Sequence, residues 1–168
     1  MIKLLVLDVD GCMSDGKIIY GANGDEIKSF NVKDGLAIAT WIRMGKAAVI
    51  ITGRRSAIVE RRAKELKIEH LYQGVKDKRA QLLALCDLLD ITPREVAAIG
   101  DDLNDYTMLQ SVKYSYTPAD GSRYIKDIVK KRLTCKGGEG AVREMIEDVV
   151  AINDEEELFL SFWRDDES

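Results

Sequence analysis

Short apolar runs rich in valine and isoleucine, at residues 3–7, 47–51, 68–71 and 96–99, recur along the chain, with a weaker one at 114–116. Between them lie segments of helical period, at 36–44, 57–66, 78–89 and 105–109, each with apolar residues three and four positions apart. Runs that read as buried on both faces, separated by helices, predict an α/β fold: a three-layer sandwich around a mainly parallel central sheet. Ser56 stands where an N-cap is expected. Thr92-Pro93-Arg94-Glu95 has capping-box spacing, with proline at the first helical position.

One stretch breaks the alternation. Lys17-Ile18-Ile19-Tyr20, Gly21-Ala22-Asn23-Gly24 and Asp25-Glu26-Ile27-Lys28-Ser29-Phe30 read as a β-hairpin turning around Asn-Gly. It follows the first strand directly and is too short for a second domain, so a small flap is expected. With 168 residues, one compact domain fits, burying roughly 70% of the surface its unfolded chain exposes. That domain is expected over 1–153, with the flap at about 17–30 and a last helix over 141–152. Residues 154–168 are expected as a tail, acidic and aromatic, with seven acids against one base.

Composition excludes several classes. Apolar residues make up 46% and charged residues 32%, a globular balance rather than a disordered one. No apolar stretch approaches 18 residues, so no membrane partner is expected, and Asp8 comes too early for a signal peptide. The net charge of −4 offers nucleic acid no general attraction. Cys12, Cys86 and Cys135 form neither a disulfide framework nor a zinc pattern, and read as reduced thiols in a cytoplasmic protein.

Three of the apolar runs end in reactive polar groups: Asp8-Val9-Asp10-Gly11, Thr52-Gly53-Arg54, and Gly100-Asp101-Asp102-Leu103-Asn104-Asp105. In an open parallel sheet these ends converge where ligands bind. Asp8 and Asp10 are two apart, so an extended chain sets both carboxylates on one face. Two such charges about 4 Å apart repel by roughly 4 kcal/mol at an effective dielectric near 20, and a hard cation such as Mg²⁺ offsets this. Asp101 brings a third carboxylate, Thr52 a hydroxyl, Gly53 close backbone approach, and Lys78, at a helix start, an ammonium. Together they can handle a phosphate. Each alone is commonplace; their order, each at a strand end, is not.

At these positions the sequence resembles the haloacid dehalogenase superfamily of aspartyl-phosphate phosphatases. Asp8-Val9-Asp10-Gly11 matches its first motif, Thr52 its second, Lys78 its third, and the run from Gly100 to Asp105 its fourth. Asp8-Val9-Asp10-Gly11-Cys12-Met13-Ser14-Asp15-Gly16, Phe30-Asn31-Val32-Lys33-Asp34-Gly35, Leu71-Tyr72-Gln73-Gly74 and Gly137-Gly138-Glu139-Gly140-Ala141-Val142-Arg143-Glu144 narrow the resemblance. They are similar to the small phosphatases of 3-deoxy-D-manno-octulosonate 8-phosphate, enzymes of lipopolysaccharide biosynthesis. The resemblance implies a Rossmann-like fold without a cap domain and assembly as a homotetramer. It implies Asp8 as nucleophile and Asp10 as general acid and base. It also implies Mg²⁺ on Asp8, the Asp10 backbone carbonyl and Asp101, with Asp105 just outside the direct ligands. It implies phosphate held by Thr52 and Lys78; beside it, Gly53 reads as a point of close backbone approach to the ligand, and Arg54 as a residue able to offer paired hydrogen bonds to the sugar carboxylate.

Related nonulosonate 9-phosphate phosphatases share Asn104 and Glu139, whereas Arg54 matches the octulosonate enzymes and outweighs them, so the octulosonate phosphate is the expected substrate and the nonulosonate 9-phosphate the alternative. A receiver-like phosphoacceptor also uses acids, threonine and lysine, but lacks a second aspartate two residues beyond the nucleophile. A non-catalytic interaction module would not need every catalytic position intact. His70 and Trp41 read as structural and Cys12 as small packing. Phe159, Phe162 and Trp163 read either as a disordered tail or as a partner contact.

Overall fold

The computed structural model describes residues 1–164. Its central sheet has six strands in the order β5 (His70–Tyr72), β4 (Ala47–Ile51), β1 (Leu4–Leu7), β6 (Val96–Ile99), β7 (Tyr114–Thr117) and β8 (Lys131–Arg132). Every neighbouring pair is parallel. β1 lies inside the sheet, and all four of its residues are buried. Full burial of such side chains stabilises the fold by roughly 1.5–3 kcal/mol each.

Strand alternation divides the core in two. Leu5 and Leu7 pack in one layer with α1 (Val32–Arg43), α2 (Ala57–Glu65) and α6 (Ala141–Ile152), centred on Trp41, Val59 and Met145. Leu4 and Val6 pack in the other with α3 (Lys78–Leu89), α4 (Tyr106–Ser111) and α5 (Arg123–Lys126), through Leu82, Met108 and Ile125. From β1 the chain runs to β4 and β5 on one side, then to β6, β7 and β8 on the other. That reversal opens a crevice at the carboxyl end of β1.

Local signals set most helix ends. Asn31 caps α1, its Oδ1 accepting the Lys33 N–H at 2.8 Å, so α1 begins four residues before the apolar pattern starts at Leu36. Asp77 caps α3 through the Ala80 N–H at 2.9 Å. Ser56 occupies the N-cap position of α2, yet its hydroxyl makes no capping bond. The Thr92–Glu95 box forms as expected, but it encloses only the single turn Pro93–Glu95, because Val96 is drawn into β6 beside Leu4.

The hairpin pairs β2 (Ile19–Tyr20) with β3 (Glu26–Ile27) and stands apart from the main sheet. Its turn is closed by the Gly21 N–H on the Asp25 carbonyl at 2.6 Å, with Gly24 at φ +80°. Ile18, Ile19 and Ile27 are exposed on it. The acidic segment does not trail away: Glu156–Ser161 forms α7, and Phe159 is buried against the core of the α1–α6 layer. Trp163 Nε1 donates to Thr40 Oγ1 at 3.2 Å, and the Arg43 guanidinium lies over the Phe162 and Trp163 rings. The last four residues of the expected tail lie outside the described ones. Among the described residues, no helix is long and apolar enough to cross a membrane.

Candidate active site

β1 delivers Asp8 at its carboxyl end, where the Asp8 N–H still donates to the Ile99 carbonyl of β6 at 3.3 Å. The chain then leaves the sheet in one wide turn, Val9–Met13, closed by the Ser14 N–H on the Val9 carbonyl at 3.0 Å. Gly11 holds φ +94° there, and a Cβ on it would lie 1.9 Å from Asp101 Oδ2. Only glycine lets the Asp101 carboxylate lie over this turn. Behind it packs the Gly137-Gly138 loop: the Gly138 N–H donates to the Cys12 carbonyl at 3.0 Å, and a Cβ on Gly137 would strike the Gly11 carbonyl oxygen at 1.8 Å. The glycine-rich motif before α6 therefore braces the turn that carries Asp8 and Asp10.

β4 ends at Ile51, and the buried Thr52 follows, its N–H donating to the Tyr72 carbonyl at 3.0 Å. β6 ends at Ile99, and the loop beyond it carries Asp101 to Asp105. Asp105 organises that loop: its Oδ2 accepts the N–H groups of Asp101 at 3.0 Å and Asp102 at 3.3 Å. The other oxygen of Asp105 pairs with Lys78 Nζ at 2.6 Å, and the same ammonium reaches Asp8 Oδ1 at 2.8 Å. Lys78 is the first residue of α3, fully buried, and its charge stands between two buried carboxylates.

A cleft of about 230 Å³ opens over this cluster, lined by Asp8, Asp10, Thr52, Gly53, Arg54 and Asp101, together with Gly16, Asp102 and Asn104. The expected site residues are thus gathered in one place, except that the buried Lys78 and Asp105 do not line the cleft: Lys78 is tied to it through Asp8, and Asp105 through the Asp101 N–H. A larger cleft of about 330 Å³ includes Lys46 and His70 at the opposite ends of β4 and β5, remote from the carboxylates.

Electrostatics follow from burial. Burial and the Asp105 charge raise the Asp8 carboxyl above its usual range, and Lys78 pulls it back. Asp101 is raised further, by burial and then by Asp8 and Asp105. For Lys78, burial opposes the charge, but Asp8 and Asp105 outweigh it and hold the ammonium above its ordinary value. Burial and the same carboxylates push the Cys12 thiol up, so it stands beside Asp101 as a neutral donor, Sγ 4.0 Å from Oδ1.

No sequence motif marks Lys28. Its side chain is 1% exposed, and its Nζ meets Asp10 Oδ1 at 2.5 Å and Glu26 Oε1 at 3.0 Å. Glu26 in turn lies 3.5 Å from Arg54. Strand alternation was the available signal, since it sets Glu26 and Lys28 on the face opposite Ile27.

Residues 70–146 match the haloacid dehalogenase-like hydrolase family. The chain is 42% identical to the 3-deoxy-D-manno-octulosonate 8-phosphate phosphatase of Yersinia pestis, over 91% of this chain and 82% of that protein. A Moraxella catarrhalis enzyme of the same name, solved with magnesium, phosphate and KDO, superposes with a TM-score of 0.91 at 40% identity, covering 96% of this chain and 93% of that one. The cobalt-bound Haemophilus influenzae deoxy-D-mannose-octulosonate 8-phosphate phosphatase gives 0.89 at 34% identity, over 94% and 92%. With its aspartates gathered at the carboxyl end of β1 and relatives this close over nearly the whole chain, the protein belongs to the 3-deoxy-D-manno-octulosonate 8-phosphate phosphatase family of haloacid dehalogenase-like hydrolases.

Proposed function

We propose that the protein is a cytoplasmic, magnesium-dependent phosphatase that hydrolyses 3-deoxy-D-manno-octulosonate 8-phosphate. One observation carries this reading: Asp8 lines the cleft while its Oδ1 is fixed by a buried lysine, and Asp10 lines the same cleft. Asp8 attacks phosphorus, the bond from phosphorus to the sugar oxygen breaks, and Asp10 gives its proton to that oxygen. Asp10, now a carboxylate, takes a proton from water, whose oxygen displaces Asp8 from the aspartyl phosphate. Lys78 holds Asp8 Oδ1 and offsets its charge, leaving the other oxygen to attack, and Thr52 and Gly53 receive the phosphoryl oxygens.

The donor set fits magnesium. Oxygens of Asp8 and Asp101 converge with Cys12 Sγ within 4.8 Å of one another, and the thiol, pushed up by burial, leaves a set of hard oxygens. Asp8, the Asp10 carbonyl and Asp101 would hold the ion, and Asp105 would orient Asp101 through its N–H. When bound, magnesium offsets the charge of the carboxylates and of the transferring phosphoryl group.

Arg54, partly exposed in the cleft, suits the sugar carboxylate through paired hydrogen bonds. Asn104 also lines the cleft, which favours the nonulosonate 9-phosphate as the second reading, while Glu139 does not line it. The exposed Ile18, Ile19 and Ile27 of the flap suit contacts between copies in a homotetramer. Phosphate release across a panel of sugar phosphates tests the reading, with and without chelator. The eight-carbon acid phosphate should give the highest kcat/KM, with activity lost in chelator and restored by magnesium. Full release in excess chelator, or preference for the nine-carbon phosphate, would overturn the mechanism or the substrate respectively.

A further inference from the structure

Resting on the reading of Asp10 as general acid, we propose that Lys28 is the positioning residue for that acid, the tie by which the flap sets the Asp10 carboxylate. Lys28 sits just past β3, and its side chain is 1% exposed. A buried ammonium is costly unless paired, and this one is paired twice, with Asp10 at 2.5 Å and Glu26 at 3.0 Å. Glu26 also reaches Arg54 at 3.5 Å. Charges of alternating sign thus run from the turn after β1, through the flap, to the end of β4.

Both ends of this chain need it. The flap is a hairpin of two-residue strands with Ile19, Tyr20 and Ile27 exposed, too small to hold itself in water. Among the described residues, the Asp10 carboxylate has no other hydrogen-bond or ion-pair partner than Lys28. Asp10 also stands in a turn of irregular backbone, at φ −73° and ψ 111°, outside any regular ladder. Lys28 takes Oδ1 and leaves Oδ2 for the leaving oxygen. A small misplacement of a proton donor is expensive in rate.

The leaving group distinguishes this role from a merely structural one. A sugar alkoxide must be protonated as its bond to phosphorus breaks, whereas p-nitrophenolate departs without a proton. kcat/KM covers the steps through departure of the leaving group, so it reads the proton donor directly. Lys28→Met should lower kcat/KM at least tenfold for 3-deoxy-D-manno-octulosonate 8-phosphate and less than about threefold for p-nitrophenyl phosphate. Lys28→Arg should restore part of the loss on the sugar phosphate. Glu26→Gln, which keeps the Lys28–Asp10 contact, should show a weaker form of the same selectivity. Equal losses on both substrates, or none on either, would overturn the proposal. The Asp10→Asn control separates the two readings. If it lacks the same leaving-group dependence, the assignment of Asp10 fails and the role of Lys28 fails with it. If Asp10→Asn shows the dependence and Lys28→Met does not, only the Lys28 proposal fails.

Discussion

The carboxyl end of the sheet and the junction of α1 with α6 each bury a carboxylate, and the two are treated differently. At the junction, Asp34 Oδ1 accepts the Arg143 N–H at 2.9 Å, and Oδ2 is buried with no partner. Burial pushes its carboxyl up to about 6, against the Arg143 N–H bond and the Arg62 and Arg143 charges. Gly140 precedes α6 and offers no side chain to cap it, so Asp34 supplies the cap from another helix. That task needs an acceptor and not a charge. Around Asp8 the opposite holds: a buried lysine bonds two carboxylates at 2.8 and 2.6 Å, and the cluster opens on a cleft. Charge is held there, as the proposed chemistry requires.

The largest expected effect tests the chemical side of this contrast. Asp8→Asn should lower phosphate release by on the order of 10⁴-fold or more, since it removes the proposed nucleophile. Its Tm should stay level or rise, because the cost of burying the charge, and its repulsion with Asp105, go with it. A phosphate assay beside thermal melts checks both. A large fall in Tm would show that the fold itself needs the Asp8 charge.

Lys78→Met should be the most damaging to stability. It leaves two buried carboxylates without their cation, a loss of about 3–5 kcal/mol, or on the order of 10 °C in Tm for a domain of this size. Without the ammonium, which pulls the raised Asp8 carboxyl back, the proton affinity of Asp8 rises further. Stability is then present at low pH and lost as pH rises through the Asp8 value, so the deficit should be larger at pH 8 than at pH 5. A pH-independent deficit would point to lost packing instead.

Asp34→Asn should act in the other direction. The folded carboxyl sits at about 6 against an ordinary 3.8, so its stability is full below 3.8 and drains as pH rises through 6. The amide keeps the acceptor for Arg143 without the charge, and should be more stable than wild type by up to about 3 kcal/mol above pH 6. The gain should fade by about pH 4, as the carboxyl approaches full protonation. Asp34→Ala removes the cap and should fall about 1 kcal/mol below Asp34→Asn. Denaturant titrations at several pH values measure all three; an amide variant less stable than wild type at pH 8 would show that the junction needs the charge.

The smallest effect belongs to a contact that buries no carboxylate. Arg43→Ala removes the guanidinium over the Phe162 and Trp163 rings, at 4.6 and 5.6 Å. It should cost about 0.5–1 kcal/mol, read from the same titrations.

Much of this molecule is legible in its residue order because the deciding interactions are local. The strands at 47–51 and 96–99 and the helices at 78–89 and 141–152 have the ends their apolar patterns predict. Asp8, Asp10, Thr52, Arg54 and Asp101 could be named because each follows a strand whose end must lie at the crevice. Elsewhere local cues misled or were missing. The capping box at Thr92 promised a helix, but pairing of Val96 with Leu4 turned the chain into a strand after one turn. β8 is two exposed basic residues, a strand only because Lys131 pairs with Tyr116. Lys28 meets Asp10 across 18 positions and Lys78 meets Asp8 across 70, so neither ion pair can be read from neighbours. Periodicity and capping act over one helical turn or one strand, which residue order specifies. Which charges share a buried space depends on how the flap and layers close over β1, and only the tertiary structure decides that.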